Sequence, residues 1–520
     1  MSEKRLKRLC WLLPLLVLLF PLKATPAFQE VSPKAPIDPA AVTRRGLYVA
    51  CDFFKTQEDT WPSSRNNIEA VEKTLNSGSM VFEENISRDN DLYSVEGLKS
   101  AILDAFGDAD KNDVSYFYIS THGIYDPAKP NLEAGLLLSD GAREEGITAR
   151  QLEEAFSAIR GTKVLIIDAC NSGAFIGKGV SGGATEAAFL GPDYKVLTSA
   201  GGSEESWYWS SRGKDSAVVQ GASYFSSALT DGLGYHGEYG ADLNKDGAIT
   251  LTECYRYLLE NHSASTPQSY PQEDSFVLFT YDGDNAAAGP PPESSIISGV
   301  TFYDTVLDIR QNAVSFEFTV EKPVKMAYQM VYYRNGKWQF SSAKLEYDNQ
   351  EIGGDFGDQP GAISAGRKQR TLELLPQEED TYGYVMVQLV TIGGEKTTVH
   401  GSRVLCVPPV SGNPELSVKT DASLNPQNGR ELSILVNHKY PCLLSVSIVD
   451  KGGKTVRRLT SYQPTRPQQL TPAGSFFYWN GSLADGTPAA PGDYTVKVTA
   501  QIGDMQFEAA SEPFVLMESE

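Results

Sequence analysis

The chain has 520 residues, which is too long for one hydrophobic core and predicts about three domains. Its 41% hydrophobic and 21% charged residues are typical of globular domains and exclude wholesale disorder and a polytopic membrane protein. The formal net charge of −21 argues against nucleic acid or an anionic membrane as a partner, because no basic run offsets the acidic surface.

The amino terminus has the pattern of a secretory signal. A basic start precedes an apolar run at 9–22, and small residues lead from there to Ala27. The run is shorter than the ~20 residues of a spanning helix, and two prolines interrupt it. We predict a signal peptide at 1–27, an extension at 28–45 and a secreted or extracytoplasmic protein without a transmembrane segment. The alternative is an uncleaved membrane anchor.

The region 46–281 alternates apolar, strand-like runs with helical stretches, which predicts an α/β unit with a mostly parallel sheet flanked by helices. Ser94 and Thr148 are suited to cap two of the helices. The predicted strands are Gly46–Phe53, Met80–Ile86, Val114–Thr121, Lys163–Ala169, Lys195–Ala200 and Ser275–Tyr281. The predicted helices are Asn66–Leu75, Val95–Phe106, Thr148–Ile159, Tyr224–Leu233 and Leu251–Leu259.

A proline- and alanine-rich segment at 282–295 has the composition of a linker. Helical periodicity disappears beyond it, and Asn335-Gly336 marks a hairpin turn between two strand-like runs. We therefore predict two all-β sandwich domains, at 296–410 and 411–520, as candidates for binding a cell-surface or protein partner.

Two strand ends carry the residues that favour catalysis. His122-Gly123 follows the strand that ends at Thr121, and Cys170 follows the strand that ends at Ala169. Because the carboxyl ends of neighbouring parallel strands meet at one edge of a sheet, the imidazole and the thiol should converge there. The histidine can deprotonate the thiol and later protonate the leaving amine. We predict Cys170 as the nucleophile, His122 as its acid/base partner, and the amides of Gly123 and Cys170 as oxyanion donors.

The alternative to a catalytic pair is a small buried cysteine beside a histidine that has only a structural role. Among the five histidines of the chain, however, only His122 ends a strongly apolar strand before a glycine. Of the six cysteines, five remain once Cys10 leaves with the signal peptide, so at least one thiol stays unpaired, and we assign that thiol to Cys170. Cys406 and Cys442 are candidates for a disulfide, which geometry has to decide.

The motifs resemble a known group of peptidases. His-Gly after one strand and Asp-Ala-Cys-Asn-Ser-Gly at 168–173 after a later one are similar to the caspase-hemoglobinase clan of caspases, metacaspases, legumains, clostripain and gingipains. The resemblance extends to 196–207 and 224–233 and covers about residues 46–281. It implies a peptide or protein substrate, cleavage through a thioester acyl-enzyme, and no cofactor for catalysis. The last part of the chain resembles the Ig-like module of flagellar hook-capping proteins through Phe477–Gly481 and Pro491–Tyr494.

The resemblance also implies specificity residues. In the clan the residue two before the nucleophile lines the S1 pocket, and here it is Asp168, whose carboxylate favours Arg or Lys at P1, with Asn or Asp as alternatives. The strand after the nucleophile supplies the other pocket wall, which nominates Ser199, Glu205 and Trp207. Asp168 has a second interpretation, as a carboxylate that only orients the loop.

The segment Phe175–Pro192 is rich in Gly and Ser, which predicts a flexible loop after the nucleophile. Several clan members mature by cutting loops placed like this one. If Asp168 selects basic residues, Lys178 or Arg212 would be a self-processing site.

Residues 242–253 match the calcium-loop template. The predicted ligands are Asp242, Asn244, Asp246, the backbone of Ala248, and Glu253. No entering helix is predicted before them, so the site would be half of an EF-hand holding one structural Ca²⁺. The alternative is a turn without metal.

Three functions remain open at this point. The first is a secreted cysteine endopeptidase. The second is an inactive caspase-like protein that binds or assembles through its β domains. The third keeps the dyad but transfers the acyl group to an amine, as transamidases of the clan do.

Overall fold

A computed structural model describes part of the chain. The described residues are 42–55, 63–125, 133–180, 187–212, 218–261, 265–282, 296–304, 306–307, 313–338, 344–347, 362–374, 381–393, 396–468 and 473–518. The predicted signal peptide, and the predicted linker except for Asp282, lie outside them. We describe three units: the first at 42–282, the middle unit at 296–407 and the third unit at 411–518.

The first unit combines helices with short strands. Its helices are α1 (Ser63–Ser77), α2 (Val95–Phe106), α3 (Ala149–Ser157), α4 (Tyr224–Gly232) and α5 (Leu251–Asn261). Its strands are β1 (Arg44–Ala50), β2 (Glu84–Asp89), β3 (Val114–Ser120), β4 (Gly123–Ile124), β5 (Gly135–Ser139), β6 (Glu144–Thr148), β7 (Thr162–Asp168), β8 (Tyr194–Thr198), β9 (Tyr208–Arg212), β10 (Val218–Ser223), β11 (Ala248–Thr250), β12 (Gln268–Tyr270) and β13 (Val277–Thr280).

The main sheet has six strands in the order β12-β8-β7-β3-β1-β2. All neighbours are parallel except β12, which runs antiparallel to β8. Side chains alternate between the two faces of β3, so that Phe117 packs under α2 and α3 whereas Tyr116 packs under α1, α4 and α5. The prediction of a mostly parallel sheet flanked by helices is confirmed.

The helix caps follow the sequence signals. The Ser94 hydroxyl accepts a hydrogen bond from the Gly97 amide at 3.1 Å. Thr148 and Gln151 form a capping box, in which each side chain accepts a hydrogen bond from the other residue's amide. Because these signals are local, the starts of α2 and α3 lie where they were predicted.

Several short strands were not predicted. β4, β5 and β6 form a small antiparallel sheet beside the main one, and β9 pairs with β10. The predicted strand Ser275–Tyr281 is shortened to β13 and pairs with β11 rather than joining the main sheet, whose edge is β12. Short strands carry little periodicity, so their partners depend on the tertiary fold.

The middle unit is all β. Its strands are β14 (Ile297–Phe302), β15 (Ala313–Val320), β16 (Val324–Arg334), β17 (Lys337–Trp338), β18 (Lys344–Tyr347), β19 (Ala362–Ile363), β20 (Gly366–Glu373), β21 (Gly383–Gly393) and β22 (Lys396–Val407). A three-stranded sheet, β14-β15-β20, and a larger sheet built on β17-β16-β21-β22 share one hydrophobic core. Asn335 and Gly336 both have positive φ between β16 and β17, which confirms the predicted hairpin turn.

The third unit is also all β. Its strands are β23 (Ser417–Thr420), β24 (Ser423–Leu424), β25 (Leu432–Asn437), β26 (Cys442–Asp450), β27 (Thr455–Thr465), β28 (Gly474–Trp479), β29 (Gly492–Ile502), β30 (Met505–Ala510) and β31 (Phe514–Leu516). They form two sheets, β23-β25-β28 and one built on β24-β31-β29-β26-β27. The Trp479 ring contacts the rings of Tyr494 and Phe514 at centroid distances of 5.4 and 6.0 Å, inside the core.

Candidate active site

The register of β3 and β7 brings the two catalytic candidates together. The strands are parallel neighbours, with Ser120 opposite Asp168, and the Thr121 amide donates a hydrogen bond to the Asp168 carbonyl at 3.2 Å. His122 and Cys170 each follow two residues beyond that last pair. They therefore leave the same edge of the sheet side by side.

Gly123 lies against the backbone of Cys170. A Cβ atom on Gly123 would be 1.7 Å from the Cys170 carbonyl oxygen, so no side chain fits there. In the β4–β5 ladder the Leu137 amide bonds to the His122 carbonyl, which makes Gly123 and Leu136 a pair without hydrogen bonds. The Gly123 amide is therefore directed away from β5.

His122 is partly exposed, and its ring packs against the Phe54 ring at a centroid distance of 4.5 Å. Burial lowers the pKa of His122 below its usual value, and the Glu144 carboxylate opposes this shift. This direction favours the neutral imidazole, which is the form that acts as a general base.

The backbone after Cys170 makes a tight turn that the sequence explains. The Cys170 thiol contacts the Ser206 carbonyl at 3.6 Å. Asn171 has a left-handed backbone with φ of 57°, which asparagine tolerates better than most residues, and its side-chain amide donates to the Gly202 carbonyl at 3.0 Å. The Asn171 amide also donates to the Glu204 carbonyl at 2.7 Å. We did not single out Asn171 from the sequence, although its place after the nucleophile was a usable signal.

Ser199 contacts the backbone of Ala169, the residue before the nucleophile. Its side chain is fully buried, and its hydroxyl exchanges hydrogen bonds with the amide and carbonyl of Ala169 at 3.1 Å each. Ser172, also fully buried, accepts a hydrogen bond from the Ala200 amide at 3.2 Å. Ser199 therefore links the end of β7 to the segment after β8, and Ser172 links the 3₁₀ helix after the nucleophile to the same segment. The assignment of Ser199 to substrate binding stays a prediction.

Asp168 lies directly beneath the nucleophile and is only 4% exposed. Its carboxylate accepts hydrogen bonds from the Tyr118 hydroxyl at 3.0 Å and from the Ser206 hydroxyl at 3.3 Å. Burial raises the pKa of Asp168 to about 6, despite these hydrogen bonds. The Ser206 hydrogen bond ties the Asp168 carboxylate to the segment around Ser206. The place of Asp168 in the S1 pocket stays a prediction.

Glu205 and Trp207 line a cavity of about 270 Å³ next to this segment. Glu205 is exposed and Trp207 is partly buried. The other walls include Tyr384 from the middle unit and Arg466 from the third unit, whose guanidinium lies 5.2 Å from the Tyr384 ring centre. All three units therefore contribute to this cavity, whereas neither Cys170 nor His122 lines it.

The predicted flexible loop after Cys170 is partly wrong. Residues Ser172–Ile176 form a buried 3₁₀ helix, and Lys178 is 3% exposed. Because a protease needs an accessible, extended segment, Lys178 is not a self-processing site in this structure. The side chain of Arg212, the other candidate at the end of β9, lies outside the described residues.

The calcium-loop residues run from the segment after α4 into the first turn of α5, and their oxygens accept hydrogen bonds from their own loop. The Asp242 carboxylate accepts hydrogen bonds from the amides of Lys245, Asp246 and Gly247 and from the Tyr281 hydroxyl, the last at 2.6 Å. Among the described residues no group of three or more His, Cys, Asp or Glu side chains is placed to hold a metal ion.

The other calcium-loop ligands are placed in the same way. The Asp246 carboxylate accepts hydrogen bonds from the Asn244 side chain and the Ala248 amide, and Glu253 accepts two from Thr250. The calcium assignment stays a prediction.

The Cys406 and Cys442 thiols are not joined by a disulfide in the structure. Cys406 and Cys442 line the same cavity of about 310 Å³ at the junction of the middle and third units. The Cys442 thiol also contacts Nδ1 of His438 at 3.6 Å. Their predicted disulfide is therefore not formed in this structure.

Comparison with known families separates the first unit from the third. Residues 24–191 match the family model of the CHAT domain, and this stretch includes His122 and Cys170. The first unit, called the caspase-like domain below after the resemblance of its motifs, has a mostly parallel sheet flanked by helices. Residues 442–504 match the model of the FlgD Ig-like domain, which lies in the third unit beyond the caspase-like domain.

Two solved structures are similar to the chain at low identity. Dimeric latent PorU from Porphyromonas gingivalis is 12% identical, over 48% of this chain and 22% of that one, with a TM-score of 0.17. This chain therefore spans less than a quarter of PorU. Caspase-1 from Spodoptera frugiperda is 15% identical, over 49% of this chain and 98% of that one, with a TM-score of 0.30. No curated protein matches the chain in sequence.

None of the helices in the described part of the chain combines the length and the apolar character needed to cross a bilayer.

Proposed function

We propose that the caspase-like domain is a cysteine endopeptidase with Cys170 as the nucleophile and His122 as the acid/base. The observation that carries this proposal is the register of β3 and β7, which brings both residues to one sheet edge with Gly123 against Cys170. The lowered pKa of His122 supports a neutral base at pH 7.

In the proposed reaction, His122 takes the thiol proton and the Cys170 thiolate attacks the carbonyl carbon of the scissile peptide bond. The amides of Gly123 and Cys170 donate hydrogen bonds to the resulting oxyanion. His122 then protonates the leaving amine as the C–N bond breaks, which leaves a thioester. Water attacks the thioester carbonyl while His122 accepts its proton, the C–S bond breaks to release the acid product, and His122 returns the proton to the Cys170 thiolate.

We propose Arg or Lys at P1, because Asp168 is the acidic group nearest the nucleophile in sequence and accepts hydrogen bonds just beneath it. Ser206 would have to move aside for the basic side chain to reach the carboxylate. Glu205 and Trp207, which line the three-unit cavity, are candidates for binding residues further along the peptide.

The test is cleavage of fluorogenic peptides ending in Arg, Lys, Asn or Asp by the full chain, with and without calcium. We expect Cys170→Ala to lower kcat by about a thousandfold or more, because the acyl-enzyme cannot form. Cys254→Ala is the matched control, because Cys254 is a buried thiol whose pKa burial raises to about 12, and it should retain activity.

Equal rates for the parent and Cys170→Ala would contradict the endopeptidase. Silence of every form, together with slow alkylation of Cys170 by a peptidyl electrophile, would favour an inactive binding or assembly protein. If added amines appear in the acyl product, the protein is a transamidase instead.

Export remains part of the proposal. From the sequence we propose a secreted or extracytoplasmic location, cleavage after Ala27, and a cell-surface or protein partner for the two β units. Mass spectrometry of the amino terminus after expression with export tests the cleavage, and an uncut chain would contradict it.

A further inference from the structure

Lys178 is a buried charge on the loop that follows the nucleophile. Its side chain is 4% exposed and pairs with the Glu431 carboxylate of the third unit, with Nζ 2.5 Å from Oε2. The Glu431 side chain is 5% exposed, so water reaches neither charged group well. A buried cation without a counter-charge is strongly unfavourable, so the state of this loop depends on a residue in another unit.

Neighbouring residues form hydrogen bonds with both members of the pair. The Lys178 ammonium donates hydrogen bonds to the Ser269 carbonyl at 2.5 Å and to the Gln272 side-chain oxygen at 3.0 Å. The Glu431 carboxylate accepts a hydrogen bond from the backbone amide of Gln272 at 2.9 Å. The ammonium also lies 4.3 Å from the Tyr478 ring centre. Burial lowers the pKa of Lys178, and Glu431 opposes that shift.

The third unit also makes a hydrogen bond to Gly179, the residue after Lys178. The Gly179 amide donates a hydrogen bond to the Tyr478 hydroxyl at 2.8 Å, in a buried position. A Cβ on Gly179 would be 2.6 Å from Gly201, so the loop lies directly on the backbone of 201–203. The third unit therefore holds Gly179 against residues 201–203, in the segment that continues to Ser206 at the Cys170 thiol.

Backbone hydrogen bonds continue from Lys178 to the nucleophile. Lys178 donates to the Gly173 carbonyl at 2.8 Å and accepts from Gly202 at 2.9 Å. The Glu204 carbonyl, two residues further, accepts the Asn171 amide at 2.7 Å. These hydrogen bonds join the loop at 171–180 to residues 202–204, and the last of them reaches Asn171, the residue next to Cys170.

We propose that Glu431 is a positioning residue for the nucleophile, acting through Lys178 on the loop at 171–180. On this proposal the third unit supports the active site of the caspase-like domain and is not an independent module. The kinetic part of this inference rests on the proposed peptidase function. The reactivity of the Cys170 thiol tests it separately.

The test compares Glu431→Gln with the parent below the unfolding temperature of both. We expect kcat to fall about 10- to 100-fold with KM little changed, because the nucleophile is misplaced while the substrate surface remains. Alkylation of Cys170 should slow in parallel. The double variant Lys178→Met/Glu431→Met removes both charges and should recover most of the alkylation rate, since no unpaired charge is left.

The matched control is Glu273→Gln. Glu273 pairs with Arg457 of the third unit across the same interface, yet it lies outside the contacts of Lys178. This variant should keep the parent kcat and alkylation rate. If Glu431→Gln does not fold, Tyr478→Phe replaces it, because that change removes only the hydroxyl bonded to Gly179 and should still lower both rates several-fold.

The outcomes are distinct. Parent-like alkylation and kcat in folded Glu431→Gln, or in Tyr478→Phe, would overturn the positioning role. Equal losses in Glu431→Gln and Glu273→Gln would also overturn it, because the effect would then come from the interface as a whole. A parent that cleaves no peptide would remove the proposed function, while a difference in Cys170 alkylation between the variants would still support the positioning.

Discussion

Gly123 shows how one residue constrains the candidate site. A glycine after the histidine leaves room for a substrate backbone to approach. The structure adds a second reason, because the Cys170 carbonyl occupies the place of a Cβ at 1.7 Å. The residue is therefore required for the approach of the two strand ends themselves.

Replacing Gly123 by alanine should lower kcat/KM by about a hundredfold or more, because the added methyl would push the Cys170 backbone away from His122. Peptide cleavage and Cys170 alkylation measure the effect. Gly146→Ala is the control, since its Cβ would lie 3.3 Å from the end of the Ile124 side chain and 4.0 Å from the Leu136 carbonyl oxygen. Parent-like alkylation in Gly123→Ala would show that the two backbones can separate without harm to the site.

At the scale of the element, residues 242–253 lead from α4 into α5, and hydrogen bonds within this segment hold its conformation. The Asp242 side chain, fully buried, organises the loop by accepting its amides. Glu253 instead caps the start of α5 by accepting from the amide and hydroxyl of Thr250 at 3.0 and 2.8 Å. Calcium binding would require Glu253 to turn from this cap towards the loop.

We expect calcium to raise the unfolding temperature of the full chain. At about ten times Kd it adds ~1.4 kcal/mol, or roughly 2–4 °C for a unit of this size. Glu253→Gln should remove the rise, whereas Glu260→Gln, which changes an exposed carboxylate on the same helix, should keep it. Scanning calorimetry with calcium or magnesium measures both, and a rise that survives in Glu253→Gln would contradict this loop as the site.

At the scale of the whole molecule, the units are joined by buried polar groups as well as by apolar contacts. Tyr224 of the caspase-like domain packs with Val331 and Met386 of the middle unit. His400 of the middle unit is buried with its ring 4.5 Å from the ring of His236 in the first unit. Titration of such buried groups links the stability of the chain to pH.

The third unit allows a clean test of this linkage. His438 is 1% exposed, and its two ring nitrogens contact the Tyr440 carbonyl and the Ser475 hydroxyl at 2.8 Å each. Burial lowers the pKa of His438 to about 4. The unfolded chain takes up this proton near pH ~6.5 and the folded chain does not, so the contribution of His438 is complete above that pH and is lost as the pH falls towards 4.

We expect the stability difference between the parent and His438→Gln to shrink by about 1.4 kcal/mol per pH unit below pH ~6. The difference is the proper measure, because burial raises the pKa of Asp168 to about 6 and of Asp231 to about 7, and those groups act in the opposite sense. Urea unfolding at several pH values between 7.5 and 4.5 measures it. A difference that does not change with pH would contradict the buried neutral histidine.

Much of the molecule was determined by local signals in the sequence. The apolar runs of β3 and β7 predicted two buried parallel strands, and the caps at Ser94 and Thr148 predicted where two helices begin. The candidate dyad follows from the same signals, because residues that directly follow neighbouring parallel strands must lie at one edge.

Only the tertiary structure decided what surrounds that dyad. The burial of Ser199 behind the nucleophile and the partners of Asp168 depend on contacts between separate strands. Lys178 was interpreted as an exposed loop residue because its neighbours in sequence are Gly and Ser, yet its environment comes from Glu431 in the third unit. A sequence pattern records local conformation and burial, whereas the pairing of charges far apart in the chain is settled only when the units pack.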